Sequence, residues 1–354
     1  MRTSLLQWMA ASTPTSWWHD SGDADELTQA LSDGATGVTT NPILTAQALR
    51  SCGHLWADEL RQAAAGRSTL QRAEAFTNVV VRRTAERLMP AYEHTEGREG
   101  YACAQVDPGA AGDRAGMKAM ALRFHALAPN VAVKLPATAA GLDVLEECVA
   151  EGITVTATVS FTVPQVLAIA EAHRRGAERA RKAGKRPGRC FSVIMIGRLD
   201  DYLRDVALDN RAPVSEEDIR QAGLAVVKRA YELYQGRGYE AVLLVAALRG
   251  TWHFTGLVGG RLILSIHPKI QEMLRAEGLA REEGIGRPIA EETLARLRSM
   301  PEFVRAYEPD GLSRDEFVSY ALTQRTLSQF VETGWKPTGA FDPAGCSAAK
   351  SKSA

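Results

Sequence analysis

A single lysine, Lys134, interrupts the apolar run NVAVKLPATAAGL at residues 130–142. Val131, Ala132 and Val133 before it and Leu135 after it read as a buried strand. A charged amine is unfavourable there unless it is paired, solvated or neutral. Desolvation penalises the ammonium and lowers its pKa. A neutral amine at physiological pH attacks a carbonyl and forms a Schiff base. The same placement also suits a lysine that snorkels to the surface or pairs with a carboxylate.

Such a residue needs a frame that turns it toward a substrate. Short β-rich runs alternate with helical patterns along the chain, as in parallel α/β architecture. The runs are SWWHD, TGVTT, YACAQVD, VAVKLP, ITVTATVSF, CFSVIMIG, AVLLVAAL and RLILSI. Eight units over about 250 residues predict a (β/α)8 TIM barrel rather than an open doubly wound sheet. Residues 1–335 form one domain on this reading, with extra C-terminal helices between Pro268 and Trp335. The tail 336–354, rich in Gly, Pro, Ser, Ala and Lys, is expected to be disordered. His173–Arg189 carries eight Lys/Arg against one acid. It falls between the fifth helix and sixth strand, on the face opposite the usual active site. It reads as a solvated helix and loop, with a partner contact as the alternative.

Barrel enzymes place their chemistry at the C-terminal strand ends. Those ends carry Asp20, Thr39, Thr40, Asn41, Gln105, Asp107, Lys134, Thr158, Ser160, Arg198 and Arg249. Asp20 ends the first strand, where a carboxylate near a Schiff base would move protons; it equally suits a loop or helix cap. Asn41 before Pro42 suits a helix N-cap, and Thr158 is ordinary in a strand. Arg198 and Arg249 follow strands six and seven, and two guanidiniums at that rim would hold a phosphorylated substrate. Each alone also reads as a surface ion pair.

The formal net charge is +0, so no global pull toward nucleic acid or an anionic membrane is expected. No apolar run approaches the roughly 18–20 residues of a membrane span. Five dispersed cysteines without a C-x-x-C pair point to reduced thiols and a cytoplasmic protein. Seven scattered histidines offer no metal pattern, and the absence of Walker and G-x-G-x-x-G loops gives no support for a nucleotide.

Taken together, HDSGD, GVTTNP, VKLPAT, EGITVTATVSF, IGRLDD and VAALRGTWH resemble the transaldolase family, in order, from about residue 15 to about residue 335. The resemblance implies a (β/α)8 barrel without a cofactor. It implies a ketose phosphate bound to Lys134 as a Schiff base, cleavage between C3 and C4, and transfer of a dihydroxyacetone unit to an aldehyde acceptor in pentose phosphate and related carbohydrate metabolism. Asp20 then matches the acid/base aspartate, Asn41 with Thr40 the donor-binding residues, and Thr158 the threonine holding a catalytic water. Arg198 and Arg249 match the phosphate-binding arginines. The chain departs from the family in four places. Gln105 stands where transaldolases carry a glutamate, as in the fructose-6-phosphate aldolase branch. Met195 replaces a phenylalanine or tyrosine, and Val193 and Ala247 replace two serines of the phosphate site. Direct aldol cleavage is the second expectation, and a non-catalytic scaffold using the basic segment is the third. A homo-oligomer is compatible with the family.

Overall fold

β-Branched and aromatic residues build the strands, and nearly continuous apolar runs bury both of their faces. The computed structural model describes residues 4–276 and 278–345. Its strands are β1 Ser16–His19, β2 Gly37–Val38, β3 Tyr101–Gln105, β4 Val131–Pro136, β5 Val155–Thr158, β6 Cys190–Met195, β7 Val242–Ala246 and β8 Ile263–Ile266. They close in chain order into one barrel. All pairings are parallel, and β8 returns to β1 with Ser16 opposite Ile263 and His19 opposite Ile266. The expected eight-stranded barrel is the observed fold.

Helices start immediately after several strand ends because capping residues stand there. The Asn41 side chain accepts from Ile43 and Leu44 N–H to start Pro42–Cys52. Thr138 starts Ala139–Ala150, and Thr162 starts Val163–Lys182. Each cap satisfies an amide that the first turn leaves unpaired.

Trp18 of β1, Tyr101 of β3 and Phe191 of β6 lie on strands that are not neighbours. Their rings meet only through the barrel interior: Trp18–Phe191 centroids are 4.6 Å apart and Tyr101–Phe191 5.4 Å. Gly37 of β2 makes room for this layer, since a Cβ there would approach the Trp18 indole to 2.6 Å. This aromatic plug is the floor beneath the polar strand ends.

The basic segment continues the helix Val163–Lys182 into a loop. Arg175 and Arg179 pair with Glu146 at 2.7 and 3.0 Å, and Arg181 pairs with Glu240 at 2.6 Å. The run is therefore matched by acids of neighbouring elements, in exposed pairs of small energetic weight.

The C-terminal segment differs from the expectation of a disordered tail. Lys336–Ala340 is helical, with Thr338 and Gly339 buried. Phe341 packs edge-on against Phe76 at 5.9 Å, and Arg72 donates to the Phe341 carbonyl. The small residues that suggested disorder permit close approach to the helix Thr69–His94. A Cβ at Gly339 would collide with the Thr69 carbonyl. The rest of that tail, 346–354, lies outside the described residues. Among the described residues, no helix is long and apolar enough to cross a membrane.

Candidate active site

Side chains along a strand alternate between faces. Trp18 points inward, so Asp20 does too; Tyr101 fixes Gln105, and Phe191 fixes Val193 and Met195. The inward set converges on a cavity of about 360 Å³ at the C-terminal mouth, lined among others by Asp20, Asn41, Lys134, Thr158, Arg198 and Arg249. This lies in the usual size range of small-ligand sites.

Lys134 is only 6% exposed. Its Nζ donates to one acceptor, the Thr40 carbonyl, at 2.9 Å. Burial pushes its pKa below the ordinary lysine value, opposed chiefly by Cys103 and Asp20. Two polar atoms on the flanking strands lack a protein partner. Gln105, opposite Lys134 in the β3–β4 register, has an unpaired buried Oε1, and Thr158 of β5 has an unpaired buried Oγ1. Buried polar atoms are normally hydrogen-bonded, so both are suited to a water or a substrate oxygen beside the amine. After Thr158 the chain turns through Val159 at φ 56°. A β-branched residue in the left-handed region is a strained outlier of the kind concentrated at functional sites.

Asp20 is held by a relay. The Thr39 hydroxyl donates to Asp20 Oδ1 at 2.6 Å. With that proton committed, Ser265 donates to Thr39 across 2.5 Å. The relay aims a carboxylate into the cavity that also receives Lys134.

The other expected residues divide into those that face the cavity and those that act from behind it. Asn41 lines the cavity and also caps a helix through Oδ1, so the expected cap is present and its amide nitrogen remains for a ligand. Thr40 turns away, donating its hydroxyl to the Cys103 carbonyl at 2.7 Å. It reaches the lysine through its backbone alone. Gln105 stands behind the lining beside Lys134.

Arg198 lies in the first turn of the helix Ile196–Asn210, not in a loop after a longer strand. Its Nη1 donates to Gln329 Oε1 at 2.7 Å, its guanidinium covers the Phe330 ring at 5.4 Å, and burial pushes its pKa down to about 10. Arg249 donates through Nε and Nη2 to Asp201 Oδ2 at 2.9 and 2.8 Å. Its own N–H donates to His253 Nδ1 at 3.2 Å. That leaves His253 Nε2–H to donate to buried Asp200 at 2.8 Å, which anchors the loop. Gly197 lets the two arginine segments touch, because a Cβ there would collide with the Ala247 carbonyl and the Arg249 side chain. Ala247 itself sits at φ 61°.

The cavity also holds residues that the sequence reading passed over. His267 and Lys269 line it. They follow β8, and the alternation from Ser265 would have pointed to His267. Among the described residues, no cluster of His, Cys, Asp and Glu could hold a metal ion.

An amine of lowered basicity, a positioned carboxylate and two guanidiniums around one cavity suit carbonyl chemistry on an anionic substrate. The match to the Transaldolase/Fructose-6-phosphate aldolase family spans residues 17–332. A transaldolase of Thiobacillus denitrificans is 28% identical over 301 residues, covering 80% of this chain and 81% of the relative. One of Mycolicibacterium paratuberculosis is 32% identical over 250 residues, covering 67% and 66%. One of Mycobacterium tuberculosis is 32% identical over 221 residues, covering 61% and 58%. The match thus spans just under two thirds of the Mycolicibacterium relative and 58% of the Mycobacterium one. Since the family match takes in the barrel and most of the C-terminal helices, this chain belongs to the transaldolase/fructose-6-phosphate aldolase family.

Proposed function

We propose that this transaldolase-family enzyme transfers a dihydroxyacetone unit from a ketose phosphate to an aldose phosphate through a Schiff base on Lys134. The supporting observation is the buried amine with one carbonyl acceptor, open to the same cavity as Asp20, Arg198 and Arg249. The neutral amine adds to the C2 ketone, and the carbinolamine takes up one proton from solvent and loses water to leave an iminium; the final hydrolysis returns that proton. Asp20 takes the proton of the C4 hydroxyl as the C3–C4 bond breaks. The bonding pair moves into the iminium, giving an enamine, and an aldehyde departs. An acceptor aldehyde then receives the enamine carbon, Asp20 returns its proton to the new hydroxyl, and water releases the product from the lysine. The barrel supplies orientation, which makes these steps effectively intramolecular. The free, buried cysteines Cys52, Cys103, Cys148 and Cys190 suit a reducing, cytoplasmic setting.

Borohydride reduction with fructose 6-phosphate, followed by peptide mass spectrometry, tests this reading. The expected result is an adduct on Lys134; no adduct with any ketose overturns it.

A second reading is direct aldol cleavage or addition, and the chemistry of Gln105 argues for transfer over it. An amide holds a water but does not exchange a proton with it as a carboxylate does. Slow imine hydrolysis would lengthen the life of the enamine and favour capture by an acceptor. Gln105→Glu is then expected to raise free dihydroxyacetone relative to transfer product, and an unchanged ratio would argue against that role.

A further inference from the structure

A second cavity of about 310 Å³ adjoins the substrate cavity, lined by Arg198, Asp201, Arg249, Leu322, Arg325 and Gln329. The two cavities share Arg198 and Arg249. Its outer wall comes from the helix Ala321–Phe330, far along the chain from the barrel strands. From the convergence of Arg325 and Gln329 on the two rim arginines, we infer that this C-terminal helix completes the substrate's phosphate site.

The inference rests on the sugar-phosphate reading above and follows from counting donors. Arg249 commits Nε and Nη2 to Asp201 and directs Nη1 to the Ala247 carbonyl at 3.2 Å. Val193 and Ala247 bring no hydroxyl to the rim. A dianionic phosphate presents three acceptor oxygens, and the donors that Arg198 has left beside its bond to Gln329 do not satisfy them. Gln329 accepts from Arg198 through Oε1, which orients its amide nitrogen as a remaining donor. Arg325 uses Nη1 on Asp205 at 2.8 Å, with side chains 62% and 55% exposed. An exposed pair of this kind contributes little, so the guanidinium exchanges partner readily when a phosphate arrives. Arg198 is already pushed down in pKa by burial with Arg249 and Arg325 nearby; a dianion relieves that like-charge crowding.

Titration of inorganic phosphate into the intact protein by calorimetry reads this site without turnover. Arg325→Ala is expected to weaken phosphate binding about tenfold. In steady-state assays it is expected to raise KM for fructose 6-phosphate by a similar factor, with kcat within about twofold and no change in KM for unphosphorylated fructose. Arg325→Lys should recover part of the loss. Asp205→Asn, which removes the ion pair and keeps the arginine, should leave phosphate affinity unchanged or tighter. Equal phosphate affinity in wild type and Arg325→Ala overturns the inference, as does a wild type that binds no phosphate. A matching loss in Asp205→Asn also overturns it, by assigning the effect to the ion pair. Failure of the Schiff-base reading shows separately, as absence of a borohydride adduct in the wild type.

Discussion

Among the described residues two lysines are buried, and their surroundings differ in one respect. Lys228, on the helix Glu216–Gly236, is 8% exposed, and Lys134 is 6% exposed. Both follow apolar residues, and burial lowers both pKa values. Lys228 Nζ donates to three carbonyls, those of Gly284 at 2.6 Å, Ile285 at 3.1 Å and Arg287 at 2.7 Å. Three donors meet three acceptors, so the ammonium is fully used in tying the 284–287 loop to the helix. Both lysines line a cavity, but Lys134 meets one carbonyl. Burial alone therefore does not make a reactive amine. A reactive amine also needs unmet hydrogen-bonding capacity and space for a carbonyl carbon.

The largest effect that would break this contrast is at Lys134. Lys134→Met is expected to lower kcat/KM by about 10⁴-fold or more, as loss of a covalent nucleophile does. The denaturation midpoint should stay level or rise, because a desolvated amine with one acceptor is replaced by an apolar chain. Retained turnover would remove the distinction between the two lysines. The next effect is at Lys228. Lys228→Met leaves three carbonyls unpaired and should destabilise the fold by about 2 kcal/mol, read by urea denaturation, with kcat/KM nearly unchanged.

The smallest effect is in pH. Lys228 is held at about 8 in the folded chain and near 10.4 when unfolded. Between those values the unfolded state binds more protons, so stability rises with pH across that window. Lys228→Met should flatten the rise, as read from urea midpoints at pH 7.5 to 10.5. A slope that persists would assign the titration to another group. The window closes at about 8 on the acid side, so the variant and wild type should run parallel below it.

Much of the frame was readable because it depends on local periodicity. The segment VAVKLP is apolar on both faces and short, so it reads as a barrel strand wherever it sits. Asn41 before Pro42 reads as a cap for equally local reasons, and the structure shows that cap. Alternation sends the side chain of Thr39 inward and that of Thr40 outward to the Cys103 carbonyl, which leaves Thr40 its backbone carbonyl as its contact with Lys134. Arg198 reads as a residue following strand six, and the structure places it in the first turn of a helix that begins at Ile196. For Lys336–Ala340 composition points to disorder, and the structure shows a helix. Gly and Pro mark loops on average, but Gly339 is what lets this helix press against Thr69.

Sequence alone determined the eight strands, their order, and the lysine placed among apolar neighbours, since each follows from side-chain alternation over a few residues. Tertiary structure decided how many acceptors each buried lysine has, which polar atoms beside Lys134 stay unpaired, and that Arg325 faces Arg198 across 127 positions of chain. The physical reason is that hydrogen-bond satisfaction is a property of atoms meeting in space. Partners such as Lys134 with Thr40, or Lys228 with Gly284, are separated by 94 and 56 residues, and no local pattern encodes their encounter.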